Sequence, residues 1–180
     1  MFKKTSADRT SALLRTQQLG PCGTCPRPCL KGPERLVGIG FRCWLAGYQT
    51  GDIACWEEAW NTYAAELGPA CAKVAVTELA CWVRTISQYA LRPIEVFPAP
   101  CTTFCRDECV AVSMIAASQH SVCPALRACA FALLENSAID EVVEGAQNFA
   151  DALRGVDVVL SQAAILDAMA MTVGNATSHN

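Results

Sequence analysis

The chain lacks a long uninterrupted apolar run. The longest such stretch, from Val110 to Ala117, is interrupted by Ser113 and is far shorter than the roughly 20 residues that span a bilayer. Near the N-terminus, Lys3 and Lys4 are not followed by the apolar stretch of a secretory signal. We therefore expect a cytoplasmic protein that is neither inserted in a membrane nor exported by the usual route.

Positive charge is also scarce. The chain has 14 lysines and arginines against 17 acidic residues, which gives a net charge of -3. Non-specific nucleic-acid binding requires a concentrated positive field, and no basic run is longer than Lys3-Lys4. We therefore exclude nucleic acid as a partner and expect a protein partner. The hydrophobic fraction of 52% supplies ample apolar surface for a folded core.

Common catalytic and cofactor motifs are absent as well. The sequence contains no Glu-x-x-His pair of a di-iron bundle. It contains no phosphate-binding Gly-x-x-x-x-Gly-Lys-Ser/Thr loop, no dinucleotide fingerprint and no Cys-x-x-Cys-His haem site. We assign no catalytic residue and expect a binding protein rather than an enzyme.

What the sequence does contain is helical periodicity. Apolar residues recur at steps of three and four, and no segment alternates long enough to form a sheet. The sequence predicts an all-α multi-helix bundle of about six to eight helices in a single domain over residues 1–180. Glycine and proline stops, with caps at Asp52 and Ser137, place these helices at about 8–19, 33–48, 53–67, 69–89, 102–119, 124–134, 137–154 and 158–172.

Three segments are predicted to lie outside the helices. Residues 20–33 contain four prolines and three glycines and are predicted to form a cysteine-rich loop, because helix and strand ladders both fail at that density. Residues 92–100, between prolines, are predicted to be extended and to cross one end of the bundle. Residues 174–180 are predicted to form a flexible tail.

Twelve cysteines are unusual for a chain in a reducing compartment, where thiols bind metals, react or pack rather than form disulfides. Cys22, Cys25 and Cys29 form the strongest motif, because a two-residue gap lets both thiolates reach one ion. Their gaps of two and three residues partly echo iron–sulfur loops, and zinc fits equally well. The loop is one ligand short of four, so a partner from elsewhere is required. A redox dithiol at Cys22 and Cys25 is the alternative.

Cys101, Cys105 and Cys109 follow one another at steps of four, which places them on one face of the predicted 102–119 helix. Cys101 is expected at the helix start, where the partial positive charge favours thiolate. This face is predicted to supply the missing ligand or to bind its own ion. Packing of cysteine in place of alanine is the simpler alternative, and copper(I) storage by soft thiolates is a minor one.

His120 and Cys123 form a second possible group, three residues apart. With Cys105 and Cys109, His120 could complete a mixed zinc site. The same two residues could instead form a Cys–His nucleophilic pair. The simplest interpretation is a helix-end histidine that hydrogen-bonds backbone carbonyls.

The sequence therefore predicts a cytosolic helical protein with a cysteine-ligated metal centre, either an iron–sulfur cluster or zinc, in a redox, sensing or accessory role. The alternative is a metal-free helical interaction module whose cysteines are core residues or redox pairs. The four tryptophans are expected to form an aromatic core rather than to line a cofactor site.

Overall fold

The computed structural model describes residues 30–165. This part of the chain contains six complete α-helices, a further helical stretch at residues 163–165 and no strand, which confirms the predicted all-α multi-helix bundle. The predicted helix at 8–19, most of the cysteine loop and the predicted tail at 174–180 lie outside the described residues. The helices are α1 (Pro33–Thr50), α2 (Ile53–Leu67), α3 (Pro69–Tyr89), α4 (Arg106–Gln119), α5 (Cys123–Leu134) and α6 (Asp140–Arg154).

The first three helices begin where their local sequence predicts. Pro33 and Pro69 open α1 and α3, because a first-turn residue needs no hydrogen-bonded N–H. The Asp52 side chain caps α2 by accepting a hydrogen bond from Ala54 N at 2.9 Å. Gly51 between α1 and α2 has φ 72°, in the left-handed region that favours glycine.

Two glycines allow α1 to pack closely against aromatic rings. A Cβ on Gly47 would overlap the Trp56 ring of α2, and a Cβ on Gly38 would overlap the Phe104 ring. Phe104 lies in the connection between α3 and α4, so its contact with Gly38 holds that connection against α1.

Helix α4 lies at the centre of the bundle. It packs against α1, α5 and α6, and its residues from Val110 to Gln119 are all buried. The Trp82 ring of α3 contacts the Phe41 ring of α1 and the Phe149 ring of α6, with centroids 5.6 and 5.8 Å apart. These ring contacts join three helices, and the apolar cluster around them includes buried residues of all six helices.

Three predicted boundaries are wrong. Helix α4 begins at Arg106 rather than about residue 102, because Cys105 and Glu108 cap it there. Ser137 does not cap α6, whose first helical residue is Asp140 and whose N-cap is Ile139. Residues 158–160 are not helical, because their backbone groups bond the Gln119 side chain instead.

The connection at residues 90–105 contains neither helix nor strand, and this confirms the predicted non-helical segment at 92–100. Within residues 30–165, no helix combines the length and the apolar character needed to cross a membrane.

Candidate metal centre

A fully buried ion pair lies at the N-terminal end of α4. Arg42 Nε of α1 donates to Glu108 Oε1 of α4 at 2.6 Å, and Arg42 Nη2 donates to Glu108 Oε2 at 3.2 Å. Arg42 is 1% exposed and Glu108 is 0% exposed. The guanidinium also lies 4.7 Å from the centroid of the Phe104 ring, so its charge is compensated by a carboxylate and an aromatic face.

We call residues 97–105 the 97–105 turn. The same ion pair hydrogen-bonds to four backbone groups of this turn. Arg42 donates to the carbonyls of Cys101 and Thr103, both at 2.6 Å. Glu108 accepts from Phe97 N at 3.2 Å and Cys105 N at 2.7 Å. Buried backbone groups require partners, and here two side chains satisfy four of them without regular secondary structure.

A second ion pair holds the start of the same connection. Asp107 accepts from Arg92 Nη1 at 2.7 Å and Nη2 at 2.8 Å, a bidentate geometry. Asp107 also accepts from Glu95 N at 2.9 Å. Adjacent carboxylates of α4 therefore bind different parts of the connection. Asp107 hydrogen-bonds to residues 92–95, and Glu108 hydrogen-bonds to the 97–105 turn.

Cys101, Cys105 and Cys109 do not share a helix face, contrary to the prediction. Cys101 precedes α4 by five residues, and Cys105 is its N-cap. Only Cys109 lies within the helix. The premise of copper(I) storage, thiols repeated along one helix face, fails for the same reason.

Cys105 is poorly suited to be a metal ligand. Its Sγ donates to the carbonyl of Glu95 at 3.1 Å, and the thiol also takes part in the capping box with Glu108. Burial, followed by the charge of Glu108, raises the pKa of Cys105 to about 12. Because the buried thiol donates to a backbone carbonyl and accepts from the first turn of α4, Cys105 is a capping residue here. Cys101 and Cys109 are only partly buried and stay candidate ligands.

His120 and Cys123 lie at the opposite end of α4. At 1.5 Å per residue, His120 is roughly 16 Å along the axis from Cys109. Two ligands of one zinc ion lie within about 5 Å of each other, so the predicted mixed site with Cys105 and Cys109 is wrong. His120 Nε2 instead contacts the carbonyl of Leu160 at 2.8 Å, and Cys123 is an exposed first residue of α5.

Within residues 30–165, no three His, Cys, Asp or Glu side chains are grouped closely enough to hold a metal ion. The predicted loop ligands Cys22, Cys25 and Cys29 lie outside the described residues. A site that joins them to Cys101 or Cys109 therefore stays a prediction.

Sequence reasoning missed the Arg42–Glu108 pair. Two local signals pointed to it. Arg42 is the single charged residue in the apolar run from Leu36 to Ala46, which indicates a buried and paired guanidinium. Glu108 follows Cys105 by three residues, the spacing of a capping box, with cysteine in the place of serine.

Comparison with known proteins gives no relative for the chain. No protein-family model, curated protein or solved structure matches it.

Proposed function

We propose that this protein binds one metal centre through thiolates of Cys22, Cys25 and Cys29 and a fourth thiolate from the 97–109 region. The fourth ligand is Cys101 or Cys109, and Cys105 is left out because its thiol is buried and donates a hydrogen bond. With an iron–sulfur cluster the role is electron transfer or redox sensing. With zinc the metal links the N-terminal loop to the bundle. Both forms suit a reducing, cytoplasmic setting.

The observation that carries the proposal is the contact between Phe104 and Gly38. It places the 97–105 turn beside the second turn of α1. Gly38 is five residues after Pro33, or about 7.5 Å along the helix axis. Cys29 precedes Pro33 by only four residues, which reach at most about 14 Å when extended. The loop cysteines are therefore connected to α1 closely enough to reach this turn.

The rigidity of the turn also supports the proposal. A ligand bound from a preformed position costs less conformational entropy than one that must be ordered on binding. The carbonyl of Cys101 accepts from Arg42, and its N–H donates to Pro98 O at 2.9 Å. Both backbone polar groups of Cys101 are thus hydrogen-bonded, which restricts where its thiol lies.

The test is elemental analysis combined with an ultraviolet–visible spectrum of the full chain purified without oxygen. Either iron and sulfide with visible absorption, or stoichiometric zinc in a colourless protein, supports the proposal. Cys22→Ser is expected to abolish metal binding. Cys101→Ser and Cys109→Ser are then compared, and the true fourth ligand is the one whose loss lowers the metal content.

Two variants serve as matched controls. Cys81→Ser and Cys123→Ser remove exposed thiols from α3 and from the start of α5, and both are expected to keep full metal content. If the wild-type protein holds no metal and all twelve thiols react after unfolding, the metal-centre proposal is wrong. The metal-free interaction module then takes its place.

A further inference from the structure

The backbone around Cys101 is held by a single side chain of α1. Arg42 Nη1 donates to the carbonyl of Cys101 and Arg42 Nη2 donates to the carbonyl of Thr103, both at 2.6 Å. The N–H of Cys101 donates to the carbonyl of Pro98 at 2.9 Å. The Cys101 side chain is only partly buried. The backbone of Cys101 is therefore fixed, while its thiol stays partly accessible from outside the bundle.

The Arg42 guanidinium is itself held in one orientation. Its edge is paired with both carboxylate oxygens of Glu108, and its carbon lies 4.7 Å from the centroid of the Phe104 ring. The same ring lies against Gly38 of α1. A planar guanidinium that is fixed at its edge and at its face has little rotational freedom. The position of α1 is thereby transmitted to the peptide of Cys101.

The two candidate fourth ligands are held in different ways. Cys109 lies within α4, and its N–H donates to the carbonyl of Cys105 at 3.0 Å, so the helix itself fixes its backbone. Cys101 precedes α4 and is attached to α1 through Arg42. Helix α1 is also the element that directly follows the loop cysteines in the sequence. The position of Cys101 relative to that loop therefore depends on Arg42, whereas the position of Cys109 does not.

From these contacts we infer that Cys101, rather than Cys109, is the fourth ligand and that Arg42 is its positioning residue. The inference rests on the proposed function, since it requires a metal that the loop cysteines bind. Arg42 does not touch the ion. It holds the Cys101 peptide in place before the metal binds, so less conformational entropy is lost when the thiolate coordinates. Groups that orient a ligand from behind typically change metal affinity by 10- to 100-fold.

The test is a double-mutant cycle on the full chain, in which zinc is titrated in competition with a chelator. Arg42→Lys keeps a positive charge beside Glu108, but an ammonium group cannot reproduce the planar fork that binds the carboxylate and two carbonyls. We expect Arg42→Lys to raise the Kd for zinc at least about tenfold. In the Cys101→Ser background the same substitution should change the Kd less than about twofold, because the group that Arg42 positions is already absent.

Arg92→Lys is the matched control. It removes a bidentate pair with Asp107 from the same connection without touching Cys101, and it should change the Kd less than about twofold. Cobalt(II) in place of zinc adds a spectroscopic signature that a loss of stability alone does not change. Arg42→Lys and Cys101→Ser should both lower the thiolate-to-cobalt charge-transfer absorption of the fully loaded protein, and Arg92→Lys should retain the wild-type spectrum.

Three outcomes would overturn the inference. A wild-type chain that is metal-free as purified and takes up neither zinc nor cobalt would remove the proposed function and this inference together. If the wild type binds zinc but Arg42→Lys weakens binding equally with and without the Cys101 thiol, Arg42 acts through overall stability only. Zinc binding that survives Cys101→Ser but not Cys109→Ser would keep the metal centre and assign its fourth ligand to Cys109.

Discussion

The two ends of α4 hold their neighbouring connections by different chemistry. At the N-terminal end, Asp107 and Glu108 carry full charges and pair with Arg92 and Arg42. At the C-terminal end, the neutral Gln119 amide donates to the carbonyls of Ala150 at 3.4 Å and Val158 at 2.9 Å, and accepts from Leu160 N at 2.8 Å. Residues 90–105 and 158–160 are irregular. At each end of α4, side chains therefore supply hydrogen-bond partners for backbone groups that have none in a helix or sheet.

This difference between charged and neutral partners determines how rigid each connection is. A buried ion pair is unfavourable unless its geometry and hydrogen bonds are nearly complete, so the 97–105 turn has little freedom once Arg42 and Glu108 have met. A neutral amide loses less when its geometry relaxes. We therefore expect the contacts at the N-terminal end of α4 to contribute more to the free energy of unfolding than those at the C-terminal end, and to tolerate substitution less well.

The largest expected effect is at Arg42. Arg42→Ala leaves Glu108 charged, buried and unpaired, which should lower the free energy of unfolding by about 3–5 kcal/mol. Urea denaturation followed by circular dichroism measures it. Arg92→Ala should cost less, because Arg92 is 20% exposed and water reaches part of its pair.

A double variant tests why this pair matters. Replacement of a buried ion pair by two apolar residues is often neutral. Here Arg42→Met/Glu108→Met should remain destabilised, because Phe97 N, Cys105 N and the carbonyls of Cys101 and Thr103 lose their partners. Recovery of wild-type stability in the double variant would show that these backbone bonds contribute little.

The second effect depends on pH and concerns Cys105 at the N-terminal end; burial also raises the pKa of Cys43 and Cys129, so only the difference between wild type and a Cys105 variant reports on this thiol. The pKa of Cys105 is about 12 in the folded protein against 9.0 for an unperturbed thiol, so the unfolded chain releases this proton first. The resulting stability is complete below pH 9 and is lost progressively as the pH rises from 9 towards 12. Urea midpoints of wild type and Cys105→Ser, compared from pH 8 to 11, measure the loss.

Serine retains a hydroxyl for the cap but does not ionise in this range, so Cys105→Ser should lose less stability above pH 9 than the wild type. Gln119→Ala serves as the control, since it removes no titratable group and should show the wild-type alkaline slope. A constant difference between wild type and Cys105→Ser at every pH would contradict the buried-thiol explanation.

The third effect is at the C-terminal end. Gln119→Ala leaves the carbonyl of Val158 and the N–H of Leu160 without side-chain partners, at a cost of about 1–3 kcal/mol. The measurement is the same urea titration. A loss as large as that of Arg42→Ala would abolish the proposed difference between the two ends.

The smallest effect is at His120. His120→Leu removes one contact with the carbonyl of Leu160 and should cost about 1 kcal/mol. Because His120 lies roughly 20 Å along α4 from Cys105, the metal content of His120→Leu should equal that of the wild-type protein. A loss of metal in His120→Leu would show that the ligands gather at the C-terminal end instead.

Local signals were enough to predict much of the fold. Pro33, Asp52 and Pro69 each act within one helical turn, so the starts of α1 to α3 could be predicted from the sequence. The start of α4 could not, because cysteine is not a typical N-cap residue. Residues 158–160 appeared helical because nothing near them in sequence reveals the Gln119 side chain, about 40 residues away.

The candidate site was predicted less well than the fold. The sequence identified Cys101, Cys105 and Cys109 as a group but treated them as equivalent. Their differences come from Arg42 and Glu108, which pair across 66 residues, and from the carbonyl of Glu95. Long-range contacts of this kind decide which thiol is buried, and the spacing of the three cysteines alone does not contain that information.

The close ring contacts of α1 have a consequence for the order of folding. Gly38, Gly40 and Gly47 lie against Phe104, Tyr63 and Trp56, and glycine costs a helix about 1 kcal/mol per residue relative to alanine. Helix α1 is thus weak by itself and gains stability only when three rings from two later segments, α2 and the connection before α4, pack against it. In refolding followed by pulsed hydrogen exchange, we expect the amides of α1 to become protected after those of α3, although both helices are deeply packed in the native protein.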